Sequence, residues 1–458
     1  MAAKKSVMYV CENCGSEYAQ WLGQCTNCKQ WNSIVEQDVS ENVTQSILNY
    51  DVAKTGGKQS LSRSLADVNK NADKEFTRKG TGISELDRVL GGTENNKGLV
   101  QGSVILITGE PGIGKSTLLS QFALLQAISA TDVTYISAEE SLDQVNLRLQ
   151  RLLNAYNLEQ RDQAMITLQL SHTVLLEDIL QIMMSANSPK TLIVDSIQAI
   201  GSNSVKGIPG GLAQIKYCAA ELIIAAKKLG KTLVLVGHVN KEGTIAGPKT
   251  LEHMVDLVLH FEGEARSGIR ILTSRKNRFG STDEIGLFAM GPNGLEPLES
   301  STSLLDLTDD GPIVGSVKTI VMEGRRPLVV EVQSLLTKTE FQYPKRVAEG
   351  VSLARLQMLI AVASRYLGLK LQDYDIYLNI AGGLKLSDRS ADLAIVYALL
   401  TSVKNYAVPA TGVVYGQVSL SGKVAGDLWD ENRTTEAKRL SLKVLQSPKA
   451  VRLVSSLR

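Results

Sequence analysis

The run Gly109-Glu110-Pro111-Gly112-Ile113-Gly114-Lys115-Ser116 holds the residues whose types and spacing most plainly imply chemistry; it fits G-x-x-x-x-G-K-[ST]. Its glycines let backbone N–H groups turn inward around a β-phosphate, and a following helix adds the positive end of its dipole. Lys115 would reach the β- and γ-phosphates of ATP, the Ser116 hydroxyl would ligate Mg²⁺, and Thr117 is grouped with them at the nucleotide. A strand must deliver such a loop and a helix must leave it. SVILIT (103–108) and STLLSQFALLQAI (116–128) supply both. The plain alternative, a tight turn with an incidental Lys-Ser pair, does not account for that context.

A phosphate loop also needs a carboxylate on the metal side and a group that activates water. TLIVD (191–195) ends an apolar strand in Asp195, which suits outer-shell attachment of Mg²⁺; the alternative is an Asp that caps the next helix. VTYIS (133–137) runs into Ala138-Glu139-Glu140-Ser141. A carboxylate at such a strand end can polarise water at a γ-phosphate, and Glu139 is the candidate base. Glu140 in that role, or a helix-start role for either acid, stays open.

Four of the five cysteines fall between Cys11 and Cys28, while Cys218 sits alone in an apolar helical stretch. Cys11-x₂-Cys14 and Cys25-x₂-Cys28, ten residues apart, present four thiolates from two turns, the geometry of structural zinc, with iron–sulfur ligation the second choice. So short a segment cannot fold on burial alone, so the metal supplies folding energy. Gly15, Gly23, Trp21 and Trp31 fit a ribbon whose core is metal plus two indoles. Its expected role is in DNA or partner binding.

The elements that position these groups follow from the rest of the chain. At 458 residues two or three domains are expected, and 43% hydrophobic with 21% charged residues is globular composition. No stretch approaches the roughly 20 apolar residues needed to span a bilayer. The first residues carry no leader-like apolar core, so a cytoplasmic location without membrane contact is expected. A net charge of +2 confines any nucleic-acid binding to particular basic loops. Four segments are expected: a cysteine module at 1–36, a polar linker at 37–78, an α/β domain at 79–300 and an α+β domain at 301–458. In the third, 103–108, 133–137, 191–195, 232–237, 256–262 and 268–274 read as strands alternating with helices, which argues for a parallel sheet covered on both faces. In the fourth, a strand pair turns at Glu323–Arg326 and helices fall at 352–367 and 390–401.

These motifs, together with Lys276-Asn277-Arg278-Phe279-Gly280, GHVNKEGTIAGPKTLEHMVD (237–256) and NIAGGLKLSDRSADLA, closely resemble the RadA (Sms) family of bacterial DNA repair proteins along essentially the whole chain. The resemblance implies an α/β fold with a RecA-like P-loop ATPase core, an N-terminal zinc ribbon and a C-terminal α+β Lon-protease-like domain. It implies a hexameric, DNA-stimulated ATP hydrolase that drives branch migration and unwinding of single-stranded and branched DNA with the RecA recombinase. It assigns Lys276 and Arg278 to ATPase function and to coupling with DNA; in a ring such cations can reach a neighbour's γ-phosphate, the alternative being a solvated basic loop. It also puts the loops after 191–195 and 232–237 along the DNA path. Lys206, Lys241 and Lys249 there could track phosphates, the alternative being ordinary surface loops. His238 could sense a γ-phosphate or be a satisfied polar neighbour.

From about residue 310 the chain resembles the Lon proteolytic domain, with Ser390 of SDRSADLA at the nucleophile position. The position of the activating Lys falls near Glu431, where no Lys stands, so a non-proteolytic scaffold is expected. The rival readings are an ATP-dependent serine protease and a nucleotide-switched signalling ring of RecA fold.

Overall fold

Continuous apolar runs become strands buried on both faces, and the chain follows that rule. A computed structural model describes residues 7–11, 17–18, 20–27, 29–31, 34–38, 77–93, 96–185, 187–205, 207–238, 250–263, 269–298, 311–340, 343–448, 451–452 and 454–457. Most of the expected linker lies outside these residues, as do Cys14, Cys28, Lys206, Lys241 and Lys249. Contacts divide the chain into two units: Met1–Glu262 with Leu272–Thr282 and Met290–Glu296, and Gly263–Ile271 with Asp283–Ala289 and Pro297–Arg458. No helix among the described residues is long and apolar enough to cross a membrane.

At the front, β1 (Val7–Cys11) pairs antiparallel with β2 (Glu17–Tyr18) and β3 (Ile34–Asp38). Cys11, Cys25 and Ile34 are buried, with Tyr9, Tyr18 and Leu22 packed against them. The two indoles expected inside this ribbon lie outside it: Trp21 is 56% and Trp31 68% exposed, and they flank Gly23. The physical reason is that the interior is already taken. Among the described residues Cys11, Cys25 and Ile34 occupy it, and Trp21 Nε1 donates to the Ile34 carbonyl at 3.0 Å from the rim.

The large sheet has nine strands. In chain order they are β4 (Val104–Gly109), β5 (Val133–Ser137), β6 (Leu168–His172), β7 (Thr191–Asp195), β8 (Thr232–His238), β9 (Leu257–Glu262), β10 (Ile269–Asn277), β11 (Ile285–Gly291) and β12 (Gly294–Pro297), in the spatial order β6-β5-β7-β8-β4-β9-β10-β11-β12. From β6 to β9 every pairing is parallel. β4, β5 and β7 are buried at every position, as unbroken apolar runs require. Around them run α1 (Ser84–Leu90), α2 (Lys115–Ile128), α3 (Leu142–Leu153), α4 (Leu158–Thr167), α5 (Leu176–Met184), α6 (Leu212–Leu229) and α7 (Thr250–Met254). α3 starts sharply because Ser141 and Gln144 form a capping box.

The second unit holds a six-stranded sheet of β13 (Ser316–Glu323), β14 (Arg326–Lys338), β15 (Arg346–Ala348), β16 (Tyr374–Ile380), β17 (Gly412–Val414) and β18 (Lys443–Gln446), ordered β15-β16-β14-β13-β17-β18. β13 and β14 form a hairpin closing at Glu323 and Arg326. α8 (Leu353–Leu367) and α9 (Asp392–Lys404) contribute to the main core, while Ala437 of α10 (Asp430–Arg439) packs with Ile320, Val329 and Val413.

Candidate nucleotide site

β5, β7, β8 and β4 lie side by side and parallel, so their carboxyl ends converge where ligands of such sheets bind. Gly109 ends β4 so close to the neighbouring backbone that a Cβ there would come within 2.3 Å of the Phe261 carbonyl oxygen. Gly114 has φ 114° and caps α2, a left-handed turn that excludes larger residues at low cost. Lys115 is buried in the first turn of α2, its Nζ donating to the carbonyls of Gly109 at 2.8 Å and Glu110 at 2.9 Å. Burial lowers its pKa, while the carboxylates of Asp195, Glu139 and Glu110 act the other way. The loop thus has a cation and a helix N-terminus in one place, as phosphate binding requires.

Asp195 ends β7 and receives a 2.5 Å hydrogen bond at Oδ2 from the hydroxyl of buried Tyr135. Glu139 stands two residues beyond β5. Its Oε1 accepts a hydrogen bond from Ser196 Oγ and lies 3.3 Å from His238 Nε2. His238, whose backbone pairs in register with Gly109, brings β8 against the phosphate loop. The His238 imidazole, helped by Ser196 and Lys115, outweighs partial burial and holds the Glu139 carboxyl down at about 2. Glu140 turns elsewhere, pairing with Arg148 Nη1 at 2.6 Å. Of the two adjacent acids, the one electrostatically coupled to Lys115 is Glu139.

The oxygen donors Ser116 and Asp195 suit Mg²⁺, a hard cation. The thiols of Cys11 and Cys25 are both buried, and Tyr18 Oη lies 3.1 Å from Cys25 Sγ, a contact that would stabilise a metal-bound thiolate. Such a donor set suits zinc.

Lys276 and Arg278 are joined to the end of α7. Lys276 Nζ donates to the carbonyls of Glu252 (2.8 Å), His253 (3.1 Å) and Val255 (2.8 Å). Arg278 Nη1 meets Asp256 Oδ1 at 3.3 Å, and its side chain is 51% exposed. Within one chain, then, Lys276 acts as a helix C-cap and Arg278 is the more available cation.

Ser390 is buried and its Oγ donates to the Ile320 carbonyl at 3.4 Å. The same carbonyl accepts from Arg433 Nε at 3.1 Å, so a guanidinium stands beside this serine. A guanidinium has no acceptor and does not deprotonate, so it cannot activate a hydroxyl.

Sequence reasoning missed Ser196, Tyr135 and Arg148. Only the hydroxyl after Asp195 could have been guessed; a tyrosine in an apolar strand and an arginine within a helix carry no local mark of a site.

A sequence profile described as KaiC, an ATPase, matches residues 79–285, and one described as a rubredoxin metal binding domain matches residues 9–36. The ATPase domain implies ATP and Mg²⁺ as ligands, and the ribbon is a metal-binding fold. The chain is 41% identical to the DNA repair protein RadA of Rickettsia felis over 433 residues, 94% of this chain and 91% of that one. It is 42% identical to that of Rickettsia typhi, with the same coverage. It is 39% identical to that of Bacillus subtilis over 459 residues, 98% of this chain and 93% of that one. Identity at this level, spread over more than nine-tenths of both partners, places the chain in the RadA family of DNA repair proteins.

Proposed function

We propose that the chain is a DNA-stimulated ATPase motor of homologous recombination and repair. It would work as a hexameric ring on single-stranded and branched DNA, promoting branch migration alongside the RecA recombinase. The observation that carries this reading is the meeting of Lys115, Asp195, Glu139 and His238 at one carboxyl edge, in a chain of the RadA family.

The loop amides and the start of α2 bind the triphosphate, and Lys115 neutralises its charge. Ser116 and Asp195 would hold magnesium, which would supply neutralisation of the phosphate charge. Glu139 orients and polarises the attacking water, with Ser196 and His238 fixing its carboxylate. A carboxyl held at about 2 is a weak base, so its action is mainly orientation until phosphate charge raises its proton affinity. Arg278 is the cation that would reach across to a neighbour's nucleotide, with Lys276 holding α7 in place beside it. Lys206, Lys241 and Lys249 would follow DNA phosphates without reading bases.

Glu139→Gln is expected to lower turnover about 10²-fold, the low end for general-base removal, with ATP affinity retained. A variant as fast as the parent would remove Glu139 from the mechanism. The pH sign follows from the lowered pKa. The charged carboxylate's contribution is present above its ordinary pKa near ~4.3 and is lost only as pH falls towards about 2. In kcat/KM, which reports the nucleotide-free protein, this group should therefore give no acid limb above roughly pH 4.

The motor itself is tested by ATP turnover with and without single-stranded DNA across a salt series. Stimulation that fades with salt, and an Arg278→Ala loss larger in turnover than in ATP affinity, are the expected results. Turnover indifferent to DNA would favour the nucleotide-switched ring instead.

A further inference from the structure

Behind the nucleotide edge lies a buried polar unit that has no place in phosphate binding. Tyr135 sits within β5, paired in register with Ile193, and its side chain runs along the sheet to the carboxylate of Asp195 at the end of β7. Arg148, from α3, closes the unit from the helix layer with a side chain only 13% exposed. Its Nη1 pairs with Glu140 at 2.6 Å, and its Nε donates to Ser120 Oγ at 3.0 Å. Ser120 has one proton to give, and it gives it to the carbonyl of Ser116 at 2.7 Å. The Arg148 charge also acts on Tyr135 and on Asp195. So Arg148 reaches the main chain of Ser116 through Ser120, Tyr135 holds Asp195, and the Arg148 charge links the two halves electrostatically.

We propose that Tyr135 and Arg148 are positioning residues, a buried brace that sets the separation and direction of the two magnesium-side groups, the first turn of α2 at Ser116 and the carboxylate of Asp195. The proposal rests on the reading of Ser116 and Asp195 as magnesium-side groups. Its physical basis is that outer-shell partners orient metal ligands and that a carboxylate held at Oδ2 presents Oδ1 in one direction. Tyr135 stays a neutral donor in this role, since burial first and then Asp195 push its hydroxyl well above its ordinary pKa. The brace also accounts for the two neighbouring acids: Glu140 anchors Arg148, which leaves Glu139 for the γ-phosphate side.

A merely structural tyrosine would not affect metal dependence, so the test reads binding and not turnover. The full chain is titrated with a fluorescent ADP analogue, without metal and then at rising Mg²⁺, for the parent, Tyr135→Phe, Arg148→Met and Asp195→Asn. Metal-free nucleotide affinity should be unchanged in Tyr135→Phe and Arg148→Met. The Mg²⁺ concentration at half effect should rise in both, by up to about tenfold, the low end for loss of a group that orients the metal's surroundings, and at least as much in Asp195→Asn. If Asp195→Asn shifts this midpoint while Tyr135→Phe and Arg148→Met leave it at the parent's value, the brace is overturned. If Asp195→Asn leaves it unmoved as well, the magnesium-side reading of Asp195 fails with it. The two variants approach the brace from opposite sides, so misfolding of one leaves the other to decide.

Discussion

Lys115→Ala is expected to cut ATP turnover about 10³-fold, the upper end for loss of one preorganised charge-stabilising donor. The size follows from where the ammonium sits. It is buried in the first turn of α2, held by the carbonyls of Gly109 and Glu110, in surroundings where a charge acts far more strongly than in water. Three carboxylates, Asp195, Glu139 and Glu110, act on it electrostatically. Removing the cation leaves their negative charge facing an incoming triphosphate, so repulsion replaces attraction at the moment charge develops. Nucleotide affinity should also fall, but by less than turnover, because the loop amides and the helix end persist. Bound zinc should be unchanged, since the ribbon shares no residue with the loop. The check is turnover at saturating ATP with zinc content measured on the same preparation. Lys115→Met, which keeps the apolar stem, controls for packing. Turnover in either variant close to the parent's would remove the phosphate loop from the account.

What was legible in the sequence follows one physical division. Strands buried on both faces are unbroken apolar runs, so β5 and β7 fall where VTYIS and TLIVD stand, and the loop after β4 declares itself by spacing. β6, by contrast, is LQLSH, a polar edge strand that no apolar run marks. The place of Asp195 at the end of β7 is readable because strand ends are local. The choice between Glu139 and Glu140 is not, because it depends on Arg148 and His238, contributed by a helix and a strand elsewhere in the chain. The same limit explains the tryptophans. Residue type alone suggested burial, whereas the interior is taken by Cys11, Cys25 and Ile34 and both indoles stand exposed. It also explains Ser390, whose neighbour Arg433 is distant in sequence and is brought to it only by the fold.

Arg433→Met is the change expected to damage the second unit most. The side chain is fully buried, and it is the largest such side chain among the described residues. Its guanidinium donates to Asp427 Oδ1 at 2.6 Å and Oδ2 at 3.0 Å, to Asp430 Oδ1 at 3.1 Å, to Asp388 Oδ2 at 2.8 Å and to the Ile320 carbonyl. Asp388 in turn accepts from the backbone of Met322 and Ser390, and Asp427 from that of Trp429. One planar fork therefore ties β13, the turn before α9 and the start of α10. Breaking a buried pair costs more than forming it gains, because partner charges are left without compensation; about 3–5 kcal/mol is the usual loss. For a unit of this size that lowers its melting temperature by roughly 10 °C. Arg433→Lys should recover only part of it, since an ammonium cannot fill a two-pronged site. The effect should shrink in acid. Burial raises the pKa of Asp427, but the hydrogen bonds from Arg433 and the Trp429 amide outweigh that and lower it. Its contribution is thus complete above the ordinary carboxylate range near ~3.9 and is lost as pH falls through the lowered value. Melting curves of the parent and both variants at neutral and acid pH provide the measurement. Equal curves at neutral pH would mean that the carboxylate cage does not hold this unit together.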